Sequence, residues 1–119
     1  ISEQINLAIE LEKMGINLIQ TEGSKMMHVE GTLGLIQAAE MTLAHTIEIS
    51  RNVSIPVMTA SGLTTSTVGM AFAAGASAVG VGSCVNKLNS SLAMVAEVSN
   101  LVEAASKFNF AFENSMAMV

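Results

Sequence analysis

Two glycine turns set the tightest limit on how this chain folds: Ala60-Ser61-Gly62 and Gly80-Val81-Gly82-Ser83. Each follows a short apolar run with the look of a buried strand, Ile55-Pro56-Val57-Met58 before the first and Ala78-Val79-Gly80-Val81 before the second. A helical stretch follows each turn, Thr64 to Ala74 and then Ser90 to Lys107. Strand, glycine turn and helix, twice in a row, is the layout with which parallel α/β proteins hold a phosphate. Exposed backbone N–H groups and the positive end of a helix converge there on the anion. The pattern marks a place for a ligand and is silent on a reaction.

The rest of the chain repeats the same plan. Ser2 is placed to cap a helix running to about Met14, with Gly15 ending it. Asn17 to Thr21 reads as a strand and Glu22 to Thr32 as a polar loop. A short helix from Leu33 to Glu40 and a longer one from Thr42 to Asn52 complete the reading. GINLIQTEG, NVSIPVMTASG and GASAVGVGS share one form: a small residue or polar start, an apolar run, a polar turn. Strands separated by helices pair in parallel through right-handed crossovers. In the last strand, read as 78–82, Val79 and Val81 share one face and Gly80 and Gly82 the other. The glycine face leaves room for a ligand or for a closely packed neighbour.

Three parallel strands leave two open edges and one bare sheet face. Eight such units close a barrel of about 250 residues. The expected fold is therefore α/β, the C-terminal part of a (β/α)8 TIM barrel, with about three parallel strands and four to five helices. Residues 1–107 would form that part, and 108–119 a tail holding Phe108, Phe110 and Phe112. The chain opens on Ile1 rather than Met, which sets the expectation that a segment precedes it.

Composition agrees with a chain that expects more burial than it supplies itself. Charged residues are 13% of the total, against about 25% in ordinary soluble domains. The basic residues Lys13, Lys25, Arg51, Lys87 and Lys107 are scattered, and there is no Trp or Tyr. Neither a basic stripe nor a stacking platform is offered to nucleic acid. No charge falls between Arg51 and Lys87, but Pro56 and five glycines cut that run into strand and helix lengths. It reads as a buried strand–helix–strand unit rather than a membrane span. The single Cys84 rules out an internal disulfide. His28 and His45, with no Asp and no clustered Glu, give no metal site.

Ser61, Gly62, Gly82 and Ser83 are the candidate phosphate-binding residues. Glycine leaves backbone N–H groups unhindered, and serine adds a short hydroxyl donor. Asn86 and Lys87 follow the second turn. Lys87 fits either a phosphate counter-charge or a solvated surface lysine, and Asn86 either a cap or a ligand contact. Thr21 and Glu22 end the first strand, on the side where barrels of this kind do their chemistry. Glu22 fits a general acid or base, and equally an exposed loop carboxylate. Lys25 and His28 share the following loop, where a Schiff-base lysine and a proton-shuttling histidine stand against the simpler reading as loop-surface residues; Thr21 and Lys25 are candidate ligand contacts. His45 reads as structural.

INLIQTEG, GTLGLIQAA and above all SIPVMTASGLTTSTVGMAFAAGASAVGVGSCVNKLN resemble the family known as hypothetical chloroplast reading frame 23, over nearly all of residues 1–107. The resemblance implies a ribulose-phosphate-binding type of (β/α)8 barrel in a plastid or, alternatively, in the cytoplasm of a cyanobacterium. It makes this chain the sixth to eighth strands of the barrel. PVMTASG followed by GASAVGVGS also resembles the closing turns of flavin-mononucleotide barrels and sugar-phosphate barrels. Three functions stay open: a barrel acting on a small phosphorylated molecule, a flavin-mononucleotide (FMN) barrel, and a non-catalytic scaffold or regulatory barrel. The expected partner is a small phosphorylated molecule, with no nucleic acid and no membrane; self-association stays open.

Overall fold

A computed structural model describes residues 1–23 and 30–117, with side chains as far as Phe108. The strands are β1 (Ile19–Thr21), β2 (Val57–Ala60) and β3 (Ala78–Gly80). They form one parallel sheet in the order β1-β2-β3. The register aligns Thr21 with Thr59 and Thr59 with Val79, and likewise Gln20 with Met58 and Met58 with Ala78. Side chains alternate across a strand, so these rows lie on opposite faces. Ile19, Thr21, Val57 and Thr59 are buried on one face, and Val79 packs there too. Gln20 on the other face is exposed, and Met58, Ala60, Ala78 and Gly80 are only half-buried.

Among the described residues five helices flank the strands: α1 (Ser2–Lys13), α2 (Gly31–Asn52), α3 (Val68–Ala73), α4 (Ser83–Asn86) and α5 (Ser91–Ala117). One core cluster joins α1, β1, α2 and β2 through Ala8, Ile19, Ile49 and Val57. The second joins α2, α3 and α5 through Ala39, Leu63, Val68, Ala71, Ala76 and Leu101. Glu12 of α1 accepts N–H bonds from Ser54 at 2.7 Å and Ile55 at 3.2 Å, as well as the Ser54 hydroxyl. That carboxylate ties α1 to the segment entering β2.

The core is small. Its largest fully buried side chains are two valines and four threonines. Meanwhile Leu92 is 81% exposed, Met14 76%, Val95 67% and Leu33 66%. Burying one such side chain contributes about 1.5–3 kcal/mol. The radius of gyration is 15.2 Å, whereas a compact domain of this length has about 13.5 Å. The chain forms a slab of 44 × 40 × 25 Å, a sheet covered by helices on one side.

Several boundaries differ from the sequence expectation. Ser2 begins α1 instead of capping it, and Ile1 holds the cap position without a side-chain bond. The two helices expected at 33–40 and 42–52 are one, because nothing at Met41 or Thr42 breaks it. α3 begins only at Val68: the Thr67 hydroxyl takes the Thr64 N–H at 2.9 Å and holds 64–67 as a turn. β3 stops at Gly80, so Val81 leaves the helix-facing row and is 37% exposed. The short α4 was not anticipated. α5 runs through the expected boundary between 107 and 108, drawn onto α3 by Phe108, whose ring stacks on Phe72 at 5.6 Å. The side chains of Phe110 and Phe112 lie outside the described residues.

Candidate functional site

The C-terminal ends of the three strands open into one cavity of about 430 Å³. β1 supplies Glu22, β2 runs into Ala60, Ser61, Gly62 and Leu63, and β3 into Gly80, Val81, Gly82 and Ser83. The four candidate turn residues and Glu22, drawn from three separate stretches of the chain, therefore line a single space.

The first turn has an unusual backbone. Ser61 has φ +86° and Gly62 φ +72°. A left-handed non-glycine residue costs about 1–2 kcal/mol and persists only where its surroundings enforce it. Here α2 enforces it. The Thr42 hydroxyl donates to the Ser61 carbonyl at 2.7 Å. A Cβ at Gly62 would stand 2.2 Å from the Ala38 carbonyl oxygen, so the turn lies flat against the α2 backbone and only glycine fits. The end of β1 is held the same way. His45 Nδ1 lies 3.2 Å from the Glu22 carbonyl, which can only accept, so Nδ1 carries the proton. A Cβ at Gly23 would strike the Thr42 hydroxyl. One turn further along α2, the Thr46 hydroxyl donates to the Thr42 carbonyl at 2.8 Å and shares a 2.7 Å bond with the Thr59 hydroxyl.

The second turn is looser. A Cβ at Gly82 would meet only the Asn86 amide, at 3.9 Å. Gly82 precedes α4, and the Val85 and Asn86 N–H groups return to its carbonyl. The helix-end contribution expected from sequence is reduced. α3 starts six residues past Gly62, and α4 has four residues. An anion here would rest on the N–H groups of the turns and on the serine hydroxyls.

The remaining candidates disperse. Asn86 and Lys87 are exposed and do not line the cavity. Thr21 is buried on the helix-covered face of the sheet, with a hydroxyl that has no hydrogen-bond partner among the described residues. It borders a separate cavity of about 400 Å³ between α1, β1 and α2, which Glu22 and His45 also line. Lys25 and His28 lie outside the described residues. Cys84 is half-buried; burial, and then the negative charge of Glu97, push its thiol above the usual range. Among the described residues no group of His, Cys and Glu is placed to hold a metal. None of the described helices is long and apolar enough to cross a membrane.

Sequence reasoning missed Thr42 and gave His45 no part in the site. The available signal was glycine placement: Gly23 and Gly62 each follow a strand, and both turn out to be points of close approach to α2.

The family model "Protein of unknown function (DUF561)" matches residues 1–110. The chain belongs to the DUF561 family. Relatives bear the name "Uncharacterized protein ycf23", in keeping with the reading-frame-23 resemblance. That of Cyanophora paradoxa is 41% identical over 109 residues, covering 90% of this chain and 43% of its own length. The Porphyra purpurea protein is 36% identical over 111 residues, covering 89% and 41%. The chain thus spans about two-fifths of the length of these relatives. They are plastid-encoded in algae, consistent with a plastid location and compatible with a cyanobacterial one. FabK from Thermotoga maritima, a TIM-barrel enzyme, is similar in structure with a TM-score of 0.51 and 30% identity, over 66% of this chain and 24% of that one. A point mutant of the same FabK matches with a TM-score of 0.50 and 28% identity, over 66% and 25%. The described residues of this DUF561 chain thus form an α/β unit of three parallel strands and five helices, similar to part of a TIM barrel.

Proposed function

We propose that this chain is the C-terminal part of a TIM barrel and that it binds a small phosphorylated molecule, a sugar phosphate or a nucleotide, at the turns after its last two strands. The observation that carries this reading is the convergence of Ser61, Gly62, Gly82 and Ser83 on one cavity at the C-terminal strand ends. Barrels of this architecture take phosphate after strands seven and eight. The left-handed pair Ser61–Gly62 supports it too, since backbone strain collects at ligand sites. Glu22, exposed on the same cavity, is the candidate general acid or base.

FMN is the second reading, because its phosphate would use the same turns. It draws on the resemblance of the two turns to those closing flavin barrels. The third reading, a scaffold barrel, would leave the cavity empty. Native mass spectrometry of the full-length protein as purified, followed by denaturation and identification of what is released, separates them. A released sugar phosphate or nucleotide is the expected result. A yellow protein releasing FMN would move the assignment to flavin. A protein that carries nothing and then ignores a panel of phosphates would overturn both binding readings.

A further inference from the structure

Resting on the phosphate-site reading, we propose that Thr42 is a positioning residue of that site and that α2 is the platform on which the β1 and β2 sides of the cavity are set. Thr42 does not itself line the cavity; its hydroxyl donates to the carbonyl of Ser61, which does, at 2.7 Å. That carbonyl belongs to the peptide unit joining Ser61 to Gly62. Holding the oxygen against α2 fixes the plane of this peptide and hence the direction of the Gly62 N–H. The same hydroxyl stands where a Cβ at Gly23 would fall, so Thr42 also sets how closely the end of β1 approaches α2. His45, one turn on, holds the Glu22 carbonyl at 3.2 Å. Two residues on one helix face thus grip the main chain of two strand ends, each at a residue that lines the cavity.

This arrangement answers how Ser61 keeps a left-handed backbone with a side chain attached: an outside donor must hold the turn. Thr42 is also 1% exposed, so its hydroxyl has no competing water. Thr46 is the internal control. It is equally buried, and its hydroxyl bonds Thr59 within β2, just before the turn, and the Thr42 carbonyl of its own helix, neither of which lines the cavity.

The test is orthophosphate binding by the full-length protein, with thermal melts of every variant. Thr42→Val keeps the shape and removes the donor; it should weaken orthophosphate binding about tenfold, the size of one lost buried hydrogen bond. Thr42→Ser restores the donor and should bind within about twofold of the unaltered protein. Thr46→Val should lower the melting temperature while leaving affinity within about twofold. Should Thr42→Val not fold, Thr42→Cys, whose thiol is a weak donor, gives the same comparison with Thr42→Ser. Wild-type affinity in Thr42→Val, or an equal loss in Thr46→Val, would overturn the positioning role and leave the phosphate site standing. An unaltered protein that binds no orthophosphate would remove the phosphate-site reading and this inference together.

Discussion

Ser61 concentrates the local physics of the site. It combines a φ of +86°, a carbonyl locked to Thr42 and a place on the cavity wall. Glycine at this position would adopt the same backbone without the Cβ penalty. Ser61→Gly is therefore expected to stabilise the protein by about 1 kcal/mol, the cost of a left-handed non-glycine residue. It also removes one hydroxyl donor, so phosphate affinity should fall modestly while the melting temperature rises. Opposite changes in the two measurements are the expected signature of strain kept for binding. A lower melting temperature would show that the serine side chain is needed for the fold instead. The four turn residues were legible in sequence because glycine and serine after an apolar run carry a backbone meaning. Thr42 was not, since a threonine inside a helical stretch looks the same whether its hydroxyl bonds its own helix or a loop across the core.

At the scale of elements, order and pairing were readable from the alternation of apolar runs and helical stretches, and the ends were not. Side-chain bonds to the backbone decided those ends: Thr67 delays α3, and the Ser90 hydroxyl takes the Ala93 N–H at 3.1 Å as α5 begins. The fused α2 was hidden for a related reason. Thr42 and Thr46 are poor helix formers on local grounds, but their hydroxyls are spent on Ser61, Thr59 and the helix carbonyl. Glu12 offers the clearest test of how elements are held together. Its bonds to the Ser54 hydroxyl, then the Ser54 and Ile55 N–H groups, hold its carboxyl below the usual carboxylate range. A lowered folded pKa means the bond contributes fully above the ordinary carboxylate pKa of about 4.3 and is lost as pH falls through the folded value. Thermal melts across that range should show Glu12→Gln already weakened near neutrality and losing less on acidification than the unaltered protein. Parallel acid curves for the two proteins would remove Glu12 as the link between α1 and β2.

At the scale of the whole molecule, the slab shape and the exposed apolar side chains belong together. Leu92, Val95 and Val102 of α5 are each at least 60% exposed, as are Leu33 of α2 and Met14 beside α1. Gln20 stands exposed on the sheet face opposite the helices. Large apolar side chains left exposed on several elements, beside a sheet face without helices, fit a surface that a further unit covers. The 119 residues produced alone are expected to self-associate or to melt without cooperativity, as seen by sedimentation and calorimetry. A monomer with a sharp two-state transition would contradict the reading of this unit as part of a larger barrel.

The phosphate site is the central claim, and its most direct test places a negative charge where the anion should rest. Ser83 borders the cavity, is exposed, and heads the four-residue α4, so Ser83→Asp can be accommodated without disturbing the core. Titration of the full-length protein with orthophosphate and sugar phosphates is expected to show binding that Ser83→Asp abolishes while its melting temperature stays within a few degrees of the original. Binding unchanged by Ser83→Asp would contradict the assignment.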